Sequence, residues 1–180
     1  MALCLAGNKP LTQLCADYLT SEGIEYVRCL DRKGLPELYT DTSLIFISLQ
    51  FDAIIKPDKF ASSELFNIHF SLLPKYRGCY PTAWALINNE TETGATLHKI
   101  DAGIDTGDII AQHKVEILPT DGNKQIYPKC TDAGLALFKE WLPKLLSGDY
   151  SATPQPTCDE YYTRDSLDFS KITDERLRLY

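Results

Sequence analysis

SLIFISL, residues Ser43–Leu49, is an apolar run that is interrupted only by serine. A run of this length and composition predicts a strand that is buried on both faces of a sheet. Shorter runs at Leu3–Ala6 and Phe66–Phe70 have the same character, and Leu11–Leu19 carries apolar residues at helical spacing. Strands that alternate with helices predict an α/β fold, with a Rossmann-like, mostly parallel sheet flanked by helices.

The alternation continues as far as residue 150 and then stops. The further expected elements are a strand at Ile24–Leu30, a polar loop at Asp31–Thr42, a short helix after Pro57, a helix at Tyr80–Asn88, strands at Thr93–Ile100 and Ile109–Val115, and a helix at Asn123–Leu146. From Gly148 onward, prolines and polar residues replace this pattern. We therefore predict one main domain over residues 1–150 and a linker with a short, hairpin-like tail over residues 151–180.

Composition excludes several classes of protein. The 25 acidic and 18 basic side chains give a net charge of −7, which disfavours binding to nucleic-acid backbones. No apolar run approaches the roughly 20 residues of a membrane span, and the N-terminal run stops at Gly7, too soon for a signal peptide. We expect a cytoplasmic protein that binds neither nucleic acid nor membrane.

The cysteines are Cys4, Cys15, Cys29, Cys79, Cys130 and Cys158. None of them forms a C-x-x-C pair, so the sequence predicts neither a zinc site nor a redox dithiol. Free thiols in apolar surroundings fit a reducing compartment. We expect no metal.

Two loops follow predicted strands, where open α/β sheets bind ligands. The first follows the strand at Phe66–Phe70, on which Asn67 and His69 lie two residues apart, so their side chains point to the same side. The second loop, Asp101–Asp108, has three carboxylates and two glycines. Taken separately, His69 fits a hydrogen-bonded core histidine, and Asp105-Thr106-Gly107 fits a tight turn with an Asx cap.

Taken together, Asn67, His69 and Asp105 closely resemble the N10-formyltetrahydrofolate-dependent formyltransferases. The resemblance also includes SLLPKYRG at Ser71–Gly78 and ETGATLHKIDAGIDTGDII at Glu92–Ile110. It is strong from about residue 44 to residue 117 and weaker elsewhere. It implies the formyltransferase fold, a catalytic domain over residues 1–150, N10-formyltetrahydrofolate as co-substrate, and no metal.

The resemblance implies roles for the three residues that suit formyl transfer. Asn67 and His69 would stabilise the oxyanion that forms at the formyl carbon. Asp105 would orient the imidazole and accept a proton through water. Whether His69 or Asp105 removes the proton of the amine stays open at this point.

The same resemblance implies a slot for the pterin ring of the donor. It consists of residues 51–57 and Asp101–Asp105, with two further residues beside the formyl group. The cofactor-binding candidates are Phe51, Ala53, Ile54, Ile55, Leu72, Pro74, Asp101, Gly103 and Ile104. Apolar side chains suit a flat ring, and backbone groups can hydrogen-bond its edge.

The acceptor implied by the resemblance is the amine of a nucleotide-linked sugar. The K-Y-R-G corner, the E-T-G-x-T-L-H strand and the Tyr161–Leu167 tail are similar to the nucleotide-sugar branch, which indicates a dTDP-linked 3- or 4-amino dideoxyhexose. The substrate-binding candidates are Asn8, Lys9, Tyr76, Arg77, Tyr161 and Tyr162, of which Lys9 and Arg77 would contact phosphate and a tyrosine would stack on the base. A solvated lysine and packed tyrosines are the alternative interpretation.

Other functions also stay open. The formyl acceptor could instead be a 4-amino-arabinose nucleotide, a methionyl-tRNA or a glycinamide ribonucleotide. The protein could also be a folate- or nucleotide-binding module without catalysis. Relatives continue beyond the position of Tyr180. Residues 151–180 would then be either a tail alone or the start of a truncated or minimal C-terminal subdomain. A homodimer is a further alternative.

Overall fold

Strands and helices alternate through most of the chain. The computed structural model describes residues 2–158, 160–168 and 174–177. The strands are β1 (Ala2–Ala6), β2 (Val27–Cys29), β3 (Leu44–Leu49), β4 (Leu65–His69), β5 (Arg77–Gly78), β6 (Glu92–Lys99), β7 (Ile109–Glu116) and β8 (Tyr161–Tyr162). The α-helices are α1 (Pro10–Ser21), α2 (Pro81–Ile87) and α3 (Asn123–Ser147), and short 3₁₀ helices lie at Arg32–Leu38, Pro57–Lys59, Arg164–Ser166 and Glu175–Leu177.

Six of these strands form one sheet in the order β2-β1-β3-β4-β6-β7. Strands β1 to β4 pair in parallel, whereas β6 is antiparallel to both β4 and β7. The prediction of an α/β fold with a mostly parallel sheet is confirmed. Strands β6 and β7 are joined directly by the loop between them, a connection that antiparallel neighbours allow and parallel ones do not.

Strand β3 is the centre of the core, as its apolar run predicts. All six of its residues are buried. Ile45, Ile47 and Leu49 pack into the cluster that contains α1 and α3, while Leu44 and Phe46 pack into a second cluster on the opposite face. Both faces of the strand are therefore covered, which is why the sequence shows no polar alternation there.

Two boundaries differ from the prediction for local reasons. The second strand is limited to Val27–Cys29, because the N–H of Ile24 donates to the carbonyl of Leu19 and holds residue 24 at the end of α1. The loop at 31–42 contains a 3₁₀ helix, whose first turn is capped by the Asp31 carboxylate accepting from the N–H of Lys33.

The tail pairs differently from the prediction. A hairpin-like tail is wrong for the described residues, because β8 pairs in parallel with β5, more than 80 positions earlier in the chain. Thr153 also forms an antiparallel bridge with Ile109. Gly78 makes the close approach possible: its φ is +90°, and a Cβ there would lie 2.2 Å from the carbonyl oxygen of Tyr162. The described residues after 150 therefore pack on the domain beside the strand ends.

Helix α3 packs along the sheet through one face. Its buried residues include Ile126, Cys130, Leu137 and Phe138. Gly134 lets this helix approach α1, since a Cβ at residue 134 would lie 2.9 Å from a methyl group of Leu11. None of the helices in the described ranges is both long and apolar enough to cross a membrane.

The contact between α1 and α3 gives a stability prediction. Leu11 is fully buried, whereas Leu14 in the same helix is 39% exposed. Leu11→Ala should lower the free energy of unfolding by about 2–4 kcal/mol, because it leaves a cavity between two packed helices. Leu14→Ala, with the same change in helix propensity, should cost less than about 1 kcal/mol. Urea unfolding checks both values, and equal losses would contradict this packing.

Candidate active site

A cavity of about 950 Å³ opens at the carboxyl ends of β3 and β4. Its wall contains most of the residues singled out from the sequence. These are Lys9, Phe51, Ala53, Ile54, Ile55, Asn67, His69, Asp101, Gly103, Ile104, Asp105, Tyr161 and Tyr162. The structure thus brings together, in one wall, strand, loop and tail residues that the resemblance assigned to one site.

Five other candidates do not line this cavity: Asn8, Leu72, Pro74, Tyr76 and Arg77. The Tyr76 hydroxyl instead donates to Glu90, and its ring is buried. Arg77 is 8% exposed and donates from Nε to the carbonyl of Glu160, so its guanidinium anchors the tail. The structure gives these two side chains packing and anchoring contacts, not contacts with the cavity.

Asn67 faces a histidine on the neighbouring strand. It lies opposite His98 in the antiparallel register of β4 and β6, and the two side chains are joined by a 3.0 Å hydrogen bond. His98 Nδ1 donates to the carbonyl of Lys99 at 2.8 Å, which makes Nε2 of a neutral ring an acceptor. Asn67 Nδ2 therefore donates to His98, and its other hydrogen goes to Asp105 Oδ1 at 3.2 Å.

His69 has one fixed and one variable ring nitrogen. Nε2 lies 2.8 Å from the carbonyl oxygen of Tyr76, which can only accept, so Nε2 carries a hydrogen. Nδ1 is then the nitrogen that can gain or lose a proton. It lies 3.5 Å from Asp105 Oδ2, so a proton gained there places the positive charge beside a carboxylate.

Asp105 is the centre of this cluster. Its side chain is 15% exposed, and its Oδ2 accepts from the backbone N–H of Gly78 at 2.9 Å. Burial alone would raise the pKa of the Asp105 carboxyl, but the nearby imidazoles of His69 and His98 and the hydrogen bond from the Gly78 N–H outweigh burial. The pKa of Asp105 consequently lies well below its ordinary value, and the group is ionised at neutral pH.

The loop that carries Asp105 is held from both sides. Asp101 accepts from the N–H of Gly103 at 3.1 Å and from the hydroxyl of Thr106 at 2.6 Å, so its carboxylate stabilises the turn. From the tail, Gln155 Nε2 donates to the carbonyls of Asp105 and Gly107 at 3.0 and 2.7 Å. These bonds support Asp105 in its left-handed conformation, with φ of +51°.

Three groups that surround Asp105 and its loop were not predicted from the sequence: His98, the N–H of Gly78, and Gln155. His98 stood within the quoted E-T-G-A-T-L-H-K stretch, where it alternates with Thr96 on a strand. That alternation was the available signal, but its use required the knowledge that this strand is the antiparallel neighbour of β4. Backbone donors and a distant glutamine leave no comparable sequence pattern.

Two amide oxygens in residues of the cavity wall have no hydrogen-bond partner among the described residues. They are Gln50 Oε1 and Asn123 Oδ1. Asn123 is 1% exposed, and its amide nitrogen faces the carbonyl of Leu177 at 3.4 Å, which fixes the oxygen on the other side. Both oxygens are themselves buried, so they are unpartnered acceptors inside the wall and not on the open surface of the cavity.

The tail closes one side of the cavity with aromatic rings. Tyr162 stacks on Trp84, with ring centroids 4.3 Å apart, so its ring is already packed. Tyr161 is 54% exposed. Of the two tyrosines considered for base stacking, Tyr161 is therefore the one with a free face.

Metal-binding side chains are not grouped in the ranges that the structure describes: no set of three or more histidine, cysteine, aspartate or glutamate residues there could hold an ion. All six cysteines are free thiols. Burial raises the pKa of Cys4 and Cys130 to about 12, so these two thiols are protonated at neutral pH.

The pKa of Asp105 gives a prediction about stability and pH. Because its folded pKa is below the ordinary value of 3.8, the charge stabilises the fold above that value, and the contribution is lost as pH falls towards the folded pKa. Asp105→Asn should therefore lower the free energy of unfolding by about 1–3 kcal/mol at pH 7, with the loss shrinking below pH ~4. Urea unfolding across pH measures both. Asp108→Asn in the same loop is the control, and a similar loss there would contradict the assignment.

Comparison with known proteins gives a consistent picture. Residues 51–142 match the family model described as formyl transferase. A methionyl-tRNA formyltransferase from Myxococcus xanthus (strain DK1622) is 41% identical over 91 residues, which are 51% of this chain and 29% of that protein. The chain thus aligns with less than a third of the length of this curated relative.

Solved structures match over a larger part of the chain. WlaRD, a sugar 3N-formyl transferase crystallised with dTDP and 5-N-formyl-THF, has a TM-score of 0.87 and 31% identity, covering 93% of this chain and 71% of its own. The N-formyltransferase from Helicobacter canadensis, in complex with folinic acid and dTDP-3-aminofucose, has a TM-score of 0.88 and 31% identity, covering 93% and 73%. Together with the geometry around Asp105, these matches establish that the chain belongs to the formyl transferase family.

Proposed function

We propose that this protein transfers a formyl group from N10-formyltetrahydrofolate to the amine of a nucleotide-linked amino sugar, with a dTDP-linked 3- or 4-amino dideoxyhexose as the acceptor. The observation that carries the proposal is the cluster of Asn67, His69 and Asp105 in the wall of one large cavity. Amide, imidazole and carboxylate groups together supply an oxyanion donor, a proton carrier and a fixed negative charge. The residue roles below are part of the proposal.

The donor occupies the part of the cavity between Phe51–Ile55 and Asp101–Ile104. Both stretches contribute to its wall, and Ile55 lies deep in it, with 9% exposure. Apolar side chains there suit the faces of the pterin ring. The formyl group then lies beside Asn67, at the ends of β3 and β4.

The reaction begins when the acceptor nitrogen attacks the formyl carbon. A new C–N bond forms, and the carbonyl oxygen becomes an oxyanion beside Asn67. The oxygen takes over one of the Nδ2 hydrogens that Asn67 otherwise gives to His98 and Asp105. A donor of this kind typically contributes a few kcal/mol in a site that excludes water.

The proton of the attacking amine goes to Nδ1 of His69. Nε2 already holds a hydrogen on the carbonyl of Tyr76, so Nδ1 is the free base position. The low pKa of Asp105 makes its carboxylate a weak base, so its role is to hold the imidazolium, 3.5 Å away. When the bond from carbon to N10 breaks, His69 returns a proton to N10 and the formamide leaves.

The acceptor lies on the side of Lys9 and Tyr161, which both line the cavity. Tyr161 offers an exposed ring for the base, and Lys9, 44% exposed, offers a cation for the diphosphate. These two groups match the base and the diphosphate of a nucleotide sugar.

The two groups of relatives favour different acceptors. In sequence, the methionyl-tRNA formyltransferase from M. xanthus is 41% identical over 51% of this chain. In structure, the two sugar formyltransferases match it with TM-scores of 0.87 and 0.88 at 31% identity, whereas a methionyl-tRNA formyltransferase from Clostridium thermocellum matches it with 0.69 at 19% identity. The net charge of −7 also opposes binding to tRNA. Sugar is therefore the proposed acceptor, and methionyl-tRNA is the second candidate. A steep salt dependence of tRNA binding would favour the second.

The first prediction concerns the reaction and its proton carrier. N10-formyltetrahydrofolate with a panel of dTDP-, UDP- and GDP-amino sugars should give a formyl mass gain on one sugar by mass spectrometry. His69→Asn should lower kcat by about 10²–10⁴-fold while the dissociation constant for folate changes little, because only the proton carrier is lost. Equal turnover by this variant would overturn the mechanism.

Two controls accompany this experiment. His113→Asn changes an exposed histidine that pairs with Glu140 away from the cavity, and its turnover should be that of the wild type. A reaction without acceptor distinguishes hydrolysis, since formate release there would show that water, not an amine, is attacked. Donor binding without any turnover would favour a binding module.

The second prediction concerns the nucleotide base. Tyr161→Ala should raise KM for the nucleotide sugar about tenfold with little change in kcat, because base–aromatic stacking contributes about 1–3 kcal/mol. Tyr161→Phe keeps the ring and should keep the wild-type KM. Steady-state kinetics with the sugar identified above measures both, and an unchanged KM in the alanine variant would remove Tyr161 from the acceptor site.

A further inference from the structure

One short segment, Tyr76–Gly78, contacts both ionisable groups of the proposed reaction. The carbonyl of Tyr76 accepts from Nε2 of His69 at 2.8 Å. Two residues later, the N–H of Gly78 donates to Oδ2 of Asp105 at 2.9 Å. The same carboxylate oxygen lies 3.5 Å from the other ring nitrogen of His69, Nδ1. The position of this segment therefore sets how the imidazole meets the carboxylate.

The backbone at Tyr76 has a conformation that its neighbours must support. Its φ is +58°, in the left-handed region that a bulky side chain rarely occupies. Such a conformation persists where surrounding contacts hold it. Because the carbonyl that His69 contacts belongs to this residue, the contacts that hold Tyr76 also set the direction of that carbonyl.

The side chain of Tyr76 supplies such contacts. Its hydroxyl donates to Oε1 of Glu90 at 2.8 Å and accepts from the amide of Asn88 at 3.1 Å. Both partners lie just after α2, where the N–H of Glu90 donates to the carbonyl of Ala85 and fixes the turn. Burial raises the pKa of the Tyr76 hydroxyl to about 12, so this group is a donor at neutral pH.

Glu90 is an ionised acceptor with a second donor. Lys75 donates from Nζ to the same Oε1 at 2.8 Å, and this hydrogen bond holds the pKa of the Glu90 carboxyl below its ordinary value. Neither Tyr76 nor Glu90 lines the large cavity. An effect of this pair on the reaction must therefore pass through the backbone of the segment to His69 and Asp105.

We propose that Tyr76 and Glu90 are positioning residues, whose hydrogen bond keeps the hydrogen of the neutral His69 ring on Nε2. This inference rests on the proposed function, which makes Nδ1 the base. A carbonyl can only accept, so the carbonyl of Tyr76 selects the tautomer with a hydrogen on Nε2. When that carbonyl turns away, the ring can place its hydrogen on Nδ1 and donate it to Asp105. Nδ1 is then no longer a base for the amine.

The tautomer of His69 can be measured without any substrate. The chain has three histidines, so its ¹⁵N NMR spectrum contains three imidazole patterns, and His69→Asn assigns one of them. At pH ~9, above the ordinary histidine pKa of about 6.5, His69 should have its hydrogen on Nε2. In Tyr76→Phe, the ratio of the two tautomers should shift at least about fivefold towards Nδ1–H, as loss of one hydrogen bond would give. His98, whose Nδ1 donates to the carbonyl of Lys99, should keep the opposite tautomer in both proteins.

Steady-state kinetics measures what the tautomer contributes to turnover. Tyr76→Phe should lower kcat about fivefold to tenfold and change KM for donor and acceptor less than about twofold, because one hydrogen bond is lost outside the cavity. Glu90→Ala should change kcat in the same direction. In Glu90→Gln, the amide oxygen still accepts from the Tyr76 hydroxyl, so kcat should stay within about twofold of the wild type.

Tyr150→Phe is the matched control. The hydroxyl of Tyr150 donates to the carboxylate of Glu64 at 2.6 Å, and neither residue lines the large cavity. The variant removes the same kind of bond, so urea unfolding should show a stability loss similar to that of Tyr76→Phe, while kcat and the His69 tautomer stay unchanged. An equal loss of kcat in both variants would overturn the proposal, because general destabilisation would then explain it.

The two readouts distinguish failure of this inference from failure of the proposed function. Formyl transfer by the wild type, with an unchanged tautomer or an unchanged kcat in Tyr76→Phe, would overturn the positioning role and leave the formyltransferase proposal intact. The pairing of β5 with β8 would then hold the segment by itself. A shifted tautomer in a protein that transfers no formyl group would support the effect on the His69 ring and overturn the catalytic proposal.

Discussion

A carboxylate without donors is costly to bury, and the Asp105 side chain is only 15% exposed. The protein meets this constraint with groups from separate parts of the chain: the Gly78 N–H and the Asn67 amide donate to the carboxylate, and the imidazoles of His69 and His98 each lie 3.5 Å from it. Because these groups belong to different elements, the charge fixes the relative positions of β4, β5, β6 and the loop after β6. The site and its surroundings depend on this one buried charge.

The tail is part of this arrangement. Gln155 donates to the backbone on both sides of the Asp105 turn, and β8 pairs with β5 next to the N–H that Asp105 accepts. The sidechain of Arg77 donates to Glu160. Gln155 and β8 therefore support the surroundings of the buried charge, and β8 also lines the cavity, so the site extends beyond residue 150.

Much of the fold could be predicted because its signals are local. The apolar run at Leu44–Leu49 requires cover on both faces, and Pro10 with the apolar spacing after it specifies α1. Strand direction is a different matter. The sequence of β6 is compatible with either direction, and only its packing beside β4 decides that Asn67 faces His98.

The sequence by itself determined the α/β alternation and the buried strands, because these depend on neighbours in the chain, and through its resemblance to the formyltransferases it indicated the trio Asn67, His69 and Asp105. Only the tertiary structure decided that His98, Gly78 and Gln155 complete the site, and that Arg77 anchors the tail instead of facing the cavity. Hydrogen bonds between residues 27 to 83 positions apart leave no periodic pattern in a chain. They exist because a buried charge must find its donors wherever the fold brings them.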